Sequence, residues 1–305
     1  MDILISTNTN FVHPTEVFIY SLCKFHENTR IDIYLAYHDL RREDISRLDR
    51  VLNLFHDKIL HLIDVGGEFA KKVPAKGNFS VETYYRILAL DLLPKQLHKI
   101  LYLDVDMIVK GNIEELYATD LTGCPLAACE DMNALVGHVD VRTATGIPEE
   151  SVYFNAGCLL FNLDYFREKD LANKLIAKIY NECNRYPYLD QDVLNSEFYK
   201  NVKIIPWSLY NLQPILCMVD LYAIAYGKIT LATYNDINNR KKDFDRQYKD
   251  ITDIIIEKAK IIHYIADSKP WKHRDEEMYF VHAMYKHFWL DCETELSNRL
   301  ANEGK

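Results

Sequence analysis

The sequence predicts an α/β protein with a central, mainly parallel mixed sheet flanked by helices. Three observations predict it. Through the first 110 positions, short apolar runs of strand length alternate with segments of helical spacing. Strands that alternate with helices imply parallel pairing and a sheet covered on both faces. The 305 residues are 49% hydrophobic and 27% charged, with no repeat, low-complexity tract or obvious linker, so one compact domain with elaborations is expected.

In order, "DILIS" is a short apolar strand. "PTEVFIYSLCKFHEN" places Val17, Phe18, Leu22 and Phe25 near helical spacing, with Pro14 suited to a first turn. "IDIYLAY" is the next strand. "REDISRLDRVLNLF" is a helix with Ile45, Leu48, Val51, Leu52 and Phe55 on one face. "ILHLIDV" is a third strand, and "VETYYRILALDLLP" a helix stopped by Pro94. "KILYLDVD" is a fourth strand. Beyond position 120 the pattern is mixed. "PLAACED" and "FNAGCLLFNL" read as strands. "DYFREKDLANKLIAKIYNECNRY" reads as one amphipathic helix with Asp164 at its N-cap. "DQDVLNSEFY" is a short helix and "KIIHYI" a strand. A helical region follows from about residue 275. Residues 206–250 are irregular and aromatic, ending in the solvated run "NNRKKDFDRQYKD".

Charge and composition exclude several functions. The net charge is −9, and no basic stripe suggests nucleic acid. Seven scattered cysteines without Cys-x-x-Cys read as reduced thiols of a cytoplasmic protein, not as a zinc site or disulfide framework. The N-terminus lacks the charged and apolar regions of a signal peptide. No apolar run approaches the ~18–20 residues that span a bilayer. Weak peripheral membrane association stays open. G-x-G-x-x-G, G-x-x-x-x-G-K-[ST] and G-x-S-x-G are all absent, which argues against dinucleotide oxidoreductases, P-loop NTPases and α/β-hydrolases.

The stretch "KILYLDVDMIVKGN" sets Asp104 and Asp106 in the middle of an apolar run. Charged groups are costly to bury without a partner. In open α/β sheets, however, ligands bind beyond the carboxyl ends of the strands. Asn8 and Asn10 follow strand one in the same way. In an extended chain, residues i and i+2 point the same way. Asp104 and Asp106 would then form a hard oxygen site suited to Mn²⁺ or Mg²⁺ bridging to phosphate. Two solvated loop aspartates would give the same spacing. In "IIHYIADSKPW", His263 offers a nitrogen that Mn²⁺ accepts and Lys269 a point charge for a diphosphate; a satisfied core histidine is the plainer reading of His263 alone. "YLDQDVLN" puts Asp190, Gln191 and Asp192 at a helix start, where Asp190 serves as N-cap, presents a carboxylate to sugar hydroxyls, or both. Asn155, Ala156 and Gly157 head an apolar strand, where small residues allow close approach by a ligand or make a bulge.

Taken together and in this order, these motifs resemble family 8 glycosyltransferases, which include bacterial lipopolysaccharide α-galactosyl- and α-glucosyltransferases and the glycogenins. The resemblance runs from Met1 to about Trp271. It rests on "STNTNFV", "TYYRILAL", "LYLDVDMIV", "YFNAGCLLFNL", "LDQDVLN" and "HYIADSKPW". It implies a GT-A nucleotide-diphospho-sugar transferase fold over 1–275, with 276–305 a helical extension packed on it. It implies retaining, Mn²⁺-dependent transfer (Mg²⁺ as the alternative) of glucose or galactose from a UDP-sugar to a saccharide, lipid-linked or protein acceptor. By match to the family, Asp104, Asp106 and His263 would hold the metal and Lys269 would pair with the phosphates. Asn8, Asn10 and Phe11 would line the uridine pocket. Arg86, Asp106, Asn155, Ala156, Asp190 and Gln191 would surround the donor sugar, Val105 would also contact the donor, and Asp131 would lie near the acceptor. Gln191 would stabilise positive charge in a same-face substitution; Asp190 or Asp131 as nucleophile is the alternative.

Three positions depart from the family pattern. Asn8 stands where aspartate is common, Phe11 where tyrosine is frequent, and Ala266 where glycine is usual. Asn8 and Ala266 give weight to a sugar-nucleotide-binding or adaptor protein that has lost catalysis. A haloacid-dehalogenase-like phosphatase shares the strand and D-x-D, but Met107 and Ile108 follow here where that motif carries Thr or Val. Trp207, Tyr210, Tyr222 and Tyr226 would suit an acceptor surface or the core equally.

Overall fold

The computed structural model describes residues 1–67, 81–131, 141–148, 150–213, 257–265, 269–272 and 280–303. Its strands are β1 (Asp2–Ser6), β2 (Ile31–Tyr37), β3 (Lys58–Asp64), β4 (Lys99–Leu103), β5 (Met107–Val109), β6 (Leu126–Glu130), β7 (Phe154–Asn162), β8 (Val202–Ile205) and β9 (Ile261–His263). Seven make one sheet in the order β3-β2-β1-β4-β7-β6-β8, and β5 pairs with β9 in a small second sheet. β3, β2, β1 and β4 run parallel, β7 runs antiparallel to both its neighbours, and β6 and β8 are parallel. The mainly parallel mixed sheet expected from the sequence is therefore observed.

Alternation along each strand divides the core between the two faces of the sheet. Ile3, Ile5, Ile33, Leu35, Leu101 and Leu103 face one apolar cluster; Leu4, Tyr34, Ala36, Ile100 and Tyr102 face the other. Helices α1 (Val12–Lys24), α2 (Arg42–Leu52) and α5 (Phe280–Glu303) cover the first face. α3 (Leu171–Glu182) and α4 (Leu189–Phe198) cover the second. α5 is fixed against α1 by buried Trp289, Tyr285, Cys292 and Leu296, and at its rim by His13 Nε2, 2.5 Å from Glu293 Oε1.

Several local readings change. The 164–186 segment is two helices, Leu163–Glu168 and α3, because Asp170 takes a left-handed conformation with φ 52° between them. The N-cap of the first is Asn162, whose Oδ1 accepts from Tyr165 N at 3.1 Å; Asp164 instead pairs with His98 at 2.9 Å. Positions 81–91 are helical but split into two 3-10 turns around a short α-helical turn, Tyr85–Leu88. Arg86 Nε takes the Thr83 carbonyl, an acceptor that a continuous α-helix would offer to residue 87. Phe25 is exposed at the end of α1 rather than packed. The D-x-D pair does not lie in an extended strand. β4 ends at Leu103, and a turn through Val105 leads into β5. Asp104 N still donates to Gly157 O, while Asp106 O accepts from Tyr264 N, so the turn carries the chain from the large sheet to the small one.

Of the aromatic stretch at 206–250, Trp207 packs on the core and Tyr210 is buried within it. Tyr222, Tyr226, the mixed-charge run and Ala266 lie outside the described residues.

Candidate active site

The turn at the end of β4 brings two carboxylates to the rim of the sheet, and β9 brings an imidazole to meet them. Met107 pairs with His263 across β5 and β9, which sets the ring beside the turn. His263 Nε2 lies 3.1 Å from Asp106 Oδ1 and 3.7 Å from Asp104 Oδ2. One ligand atom from each of the three falls within 4.8 Å of the others. The close approach depends on Gly157. A Cβ there would stand 2.4 Å from His263 Cε1 and 2.8 Å from Asp104 Oδ2. The small residues of β7 thus admit side chains of the site itself. They sit in an irregularity where β7 carries Asn155–Cys158 against Cys129 alone.

Each member of the triad is held from behind. Tyr102 OH, two residues before Asp104 on the same strand face, donates to Asp104 Oδ1 at 2.6 Å. Lys269 Nζ pairs with Asp106 Oδ2 and donates to the Tyr264 carbonyl. Asn211 Oδ1 lies 2.8 Å from His263 Nδ1. Such outer partners orient metal ligands and tune them. Burial pushes the Asp106 carboxyl upward, but the Lys269 ammonium and His263 together outweigh it and keep the group well below the usual carboxylate range.

The residues fit a divalent cation on three counts. Asp106 Oδ1 is buried with no hydrogen-bond partner, although His263 Nε2 is close, so an acceptor is left for a cation to satisfy. Two carboxylates with one imidazole suit Mn²⁺ and similar ions. The close-set cradle around Gly157 leaves the three donors converging.

Beside the triad, Arg86 is buried and links it to the start of α4. Its guanidinium lies 3.3 Å from Asp104 Oδ1 and 2.9 Å from Asp190 Oδ2, stacks 4.5 Å from the Tyr102 ring, and donates to the Ala156 carbonyl. Asp190 is not the N-cap; that place belongs to Tyr188, and Asp190 sits in the first turn facing Arg86. Burial raises its carboxyl to about 6 against the pull of Arg86, with Asp104 adding to the rise. Leu189, immediately before it, has φ 48°. A bulky residue in the left-handed region costs ~1–3 kcal/mol and persists only where packing enforces it.

Gln191 is half-buried and saturated. Its Oε1 accepts from Ala156 N at 3.0 Å and Asn155 Nδ2 at 3.1 Å; its Nε2 donates to Asp131 Oδ2 at 2.8 Å and Tyr153 OH at 3.2 Å. Asp131 Oδ2 also accepts from Asn155 Nδ2 at 3.0 Å. Tyr153 OH donates onward to fully buried Asp192 at 2.5 Å.

Of the residues expected from the sequence, Arg86, Asp104, Asp106, Asp131, Asn155, Ala156, Asp190, Gln191, His263 and Lys269 converge in this network. Val105 is the buried pivot of the turn. Phe11 meets Trp271 edge-on at 6.1 Å, and Lys269 Nζ lies 5.9 Å from the Trp271 ring, which joins Phe11 to the cluster. Asn8 and Asn10 stand apart from the network. Asn8 Oδ1 accepts from Asn10 N at 3.0 Å and closes the turn after β1, and the Asn10 side chain is exposed. Tyr102, Tyr153 and Asn211 are additions that the motifs do not single out. The strand periodicity of "LYLDVD" contains the signal for Tyr102; nothing local marks Asn211.

The model of the glycosyl transferase family 8 matches residues 2–275. A putative glycosyltransferase of Haemophilus influenzae is 30% identical over 67% of this chain, and the match spans 61% of that protein's length. A lipopolysaccharide 1,2-glucosyltransferase of Escherichia coli is 26% identical over 86% of this chain and 70% of its own. The crystal structure of the galactosyltransferase LgtC, in complex with donor and acceptor sugar analogs, superposes with a TM-score of 0.72 at 23% identity, covering 97% of this chain and 96% of that one. Its likeness concerns the fold.

Proposed function

Because the chain belongs to glycosyl transferase family 8, we propose that it moves a hexose, glucose or galactose, from a UDP-sugar to a glycan, lipid-linked or protein acceptor, with retention and with Mn²⁺. The observation that carries this reading is the convergence of Asp104, Asp106 and His263 beside Arg86, Asp190 and Gln191. Asp104, Asp106 and His263 would hold Mn²⁺, or Mg²⁺ in its place. A cation bound there supplies Lewis-acid charge opposite a departing diphosphate.

The chain's own groups complete the site. Lys269 exchanges its pairing with Asp106 for the diphosphate as a point charge. Phe11 and Trp271 form an aromatic wall for the uracil ring, with Asn8 and Asn10 at its edge. Arg86 holds Asp190 toward the donor hydroxyls, and Ala156 leaves room for the sugar. Double displacement needs a free carboxylate nucleophile, with a second carboxyl ~5–5.5 Å away. Asp190 is ion-paired with Arg86, and Asp131 Oδ2 is shared between Gln191 and Asn155. Both constraints favour same-face substitution, with the leaving phosphate taking the acceptor proton and Gln191 facing the positive charge that develops at the anomeric carbon.

The E. coli relative's name points to a lipopolysaccharide saccharide as the acceptor class. Cys23, Cys124, Cys129, Cys158 and Cys292 are free, in keeping with a reducing cytoplasmic setting. Among the described residues no helix is long and apolar enough to cross a membrane. The deciding experiment is a panel of UDP-sugars assayed for UDP release, with Mn²⁺ and with chelator. Release from UDP-glucose or UDP-galactose only when metal is present is expected. No turnover of any UDP-sugar would overturn the reading.

A further inference from the structure

The orientation of His263 can be traced, bond by bond, to a backbone amide on another strand. Gly157 N donates to Asn155 Oδ1 at 2.9 Å, and a backbone N–H has no other role to play. That fixes which end of the Asn155 amide is oxygen; its nitrogen correspondingly meets the Asp131 carboxylate. Asn211 lies 2.9 Å from the same Asn155 oxygen and must offer it an N–H. The Asn211 oxygen is therefore the atom 2.8 Å from His263 Nδ1, and an amide oxygen only accepts. Nδ1 must carry the hydrogen. In the neutral ring Nε2 is then a bare lone pair, 3.1 Å from Asp106 Oδ1 and 3.7 Å from Asp104 Oδ2.

We infer that Asn211 is a positioning residue: it locks His263 in the Nδ1–H tautomer, so that Nε2 is free to ligate, and it ties the metal triad through Asn155 to Gln191 and Asp131. Without this bond the carboxylates would draw the proton to Nε2, where it would compete with a cation. Asn211 is 1% exposed and sits just after the short helical turn Trp207–Tyr210. Its backbone N donates to Trp207 O at 2.9 Å, and the next residue, Leu212, bridges to Ile262 beside His263, so its position is set by the same strand that carries the ring. The inference rests on the proposed metal-dependent reading, but its first test needs no metal and no substrate.

That test is long-range ¹H–¹⁵N correlation of the metal-free wild-type protein, labelled at histidine, at a pH where the His263 ring is neutral. Nδ1–H with bare Nε2 is expected; an Nε2–H ring would overturn the inference, whatever the transferase assay shows. The second test measures Mn²⁺ binding by the paramagnetic resonance signal of free Mn²⁺, with UDP present. Asn211→Leu removes the acceptor and is expected to shift the ring to Nε2–H and weaken Mn²⁺ binding by ~10–100-fold. Asn211→Asp keeps an acceptor for Nδ1–H but gives up the N–H to Asn155, and is expected to keep the ring in the Nδ1–H form. An Nε2–H ring in the aspartate variant, or an Nδ1–H ring with wild-type affinity in the leucine variant, would show that Asn211 only fills space. An Nδ1–H ring in a protein that turns over no UDP-sugar would leave the tautomer assignment standing and overturn only the transferase reading.

Discussion

Replacing Arg86 by methionine tests the electrostatic centre of the site. The Arg86 side chain is 6% exposed and Asp190 4%, with 2.9 Å between Nε and Oδ2, and Asp104 is 3.3 Å away on the other side. Methionine fills much of the same volume but leaves a buried carboxylate without its cation. Breaking a buried pair by removing one partner costs ~3–5 kcal/mol. That is a large part of the ~5–15 kcal/mol that holds a domain folded. The pH dependence gives a sharper signature. Asp190 already titrates at about 6 against an ordinary 3.8, because burial and Asp104 outweigh the pull of Arg86. A carboxyl raised by folding binds more protons in the folded chain, so stability gains as pH falls through the window from about 6 toward 3.8. Removing Arg86 raises the carboxyl further, and every tenfold gain in its proton affinity is worth ~1.4 kcal/mol. Urea unfolding from pH 8 to pH 5 is the assay. The variant's deficit against wild type is expected to be greatest at pH 8 and to shrink toward pH 5. The double variant Arg86→Met/Asp190→Asn is expected to recover part of the loss. A deficit under ~1 kcal/mol at pH 8, or one that does not change with pH, would refute the reasoning.

Other outcomes follow from the same geometry. Asp104→Asn and Asp106→Asn are each expected to abolish Mn²⁺-dependent UDP release while melting cooperatively near the wild-type temperature; undiminished turnover in either would remove the metal assignment. Gly157→Ala is expected to drive His263 and Asp104 apart, since the new methyl would stand 2.4 Å from Cε1 of the ring, and to lower Mn²⁺ affinity by calorimetry with little loss of fold. His13 is raised above its ordinary 6.5 by its bond to Glu16, against the effect of burial, and by Glu293 on α5. Its contribution to docking α5 is therefore complete below 6.5 and lost as pH rises through its higher folded value. The melting difference between wild type and His13→Gln should be present at pH 6 and close by pH 9. Mass spectrometry of enzyme quenched during turnover is expected to show no hexose on Asp131 or Asp190; an adduct on either would establish double displacement.

Legibility varies with the range of the interactions that set each feature. The strands "DILIS" and "IDIYLAY" occur with the ends expected of them, because an apolar run bounded by polar turns carries its own instruction. The segment 164–186 departs from the single expected helix at a point that the local pattern does not mark. "REKDLA" keeps its amphipathic spacing through Asp170, yet the backbone turns left-handed there. Asp190 reads as an N-cap by residue type, but the buried guanidinium of Arg86, far away in the chain, claims it instead.

The sequence by itself determined the alternating α/β order, the delivery of Asp104 and Asp106 to the end of β4, and the set of polar residues from which the site is made. Periodicity and residue type are properties of neighbours, and they survive without a fold. Tertiary structure decided the rest. It replaced the expected extended D-x-D with a turn between two sheets, brought His263 to it through β5–β9 pairing, and pressed both against a glycine that admits no Cβ. It also recruited Tyr102 and Asn211 behind the triad. The physical reason is that a buried polar group must be satisfied by whichever donor or acceptor packing places beside it. That choice belongs to the folded chain as a whole, so no short stretch of sequence could announce it.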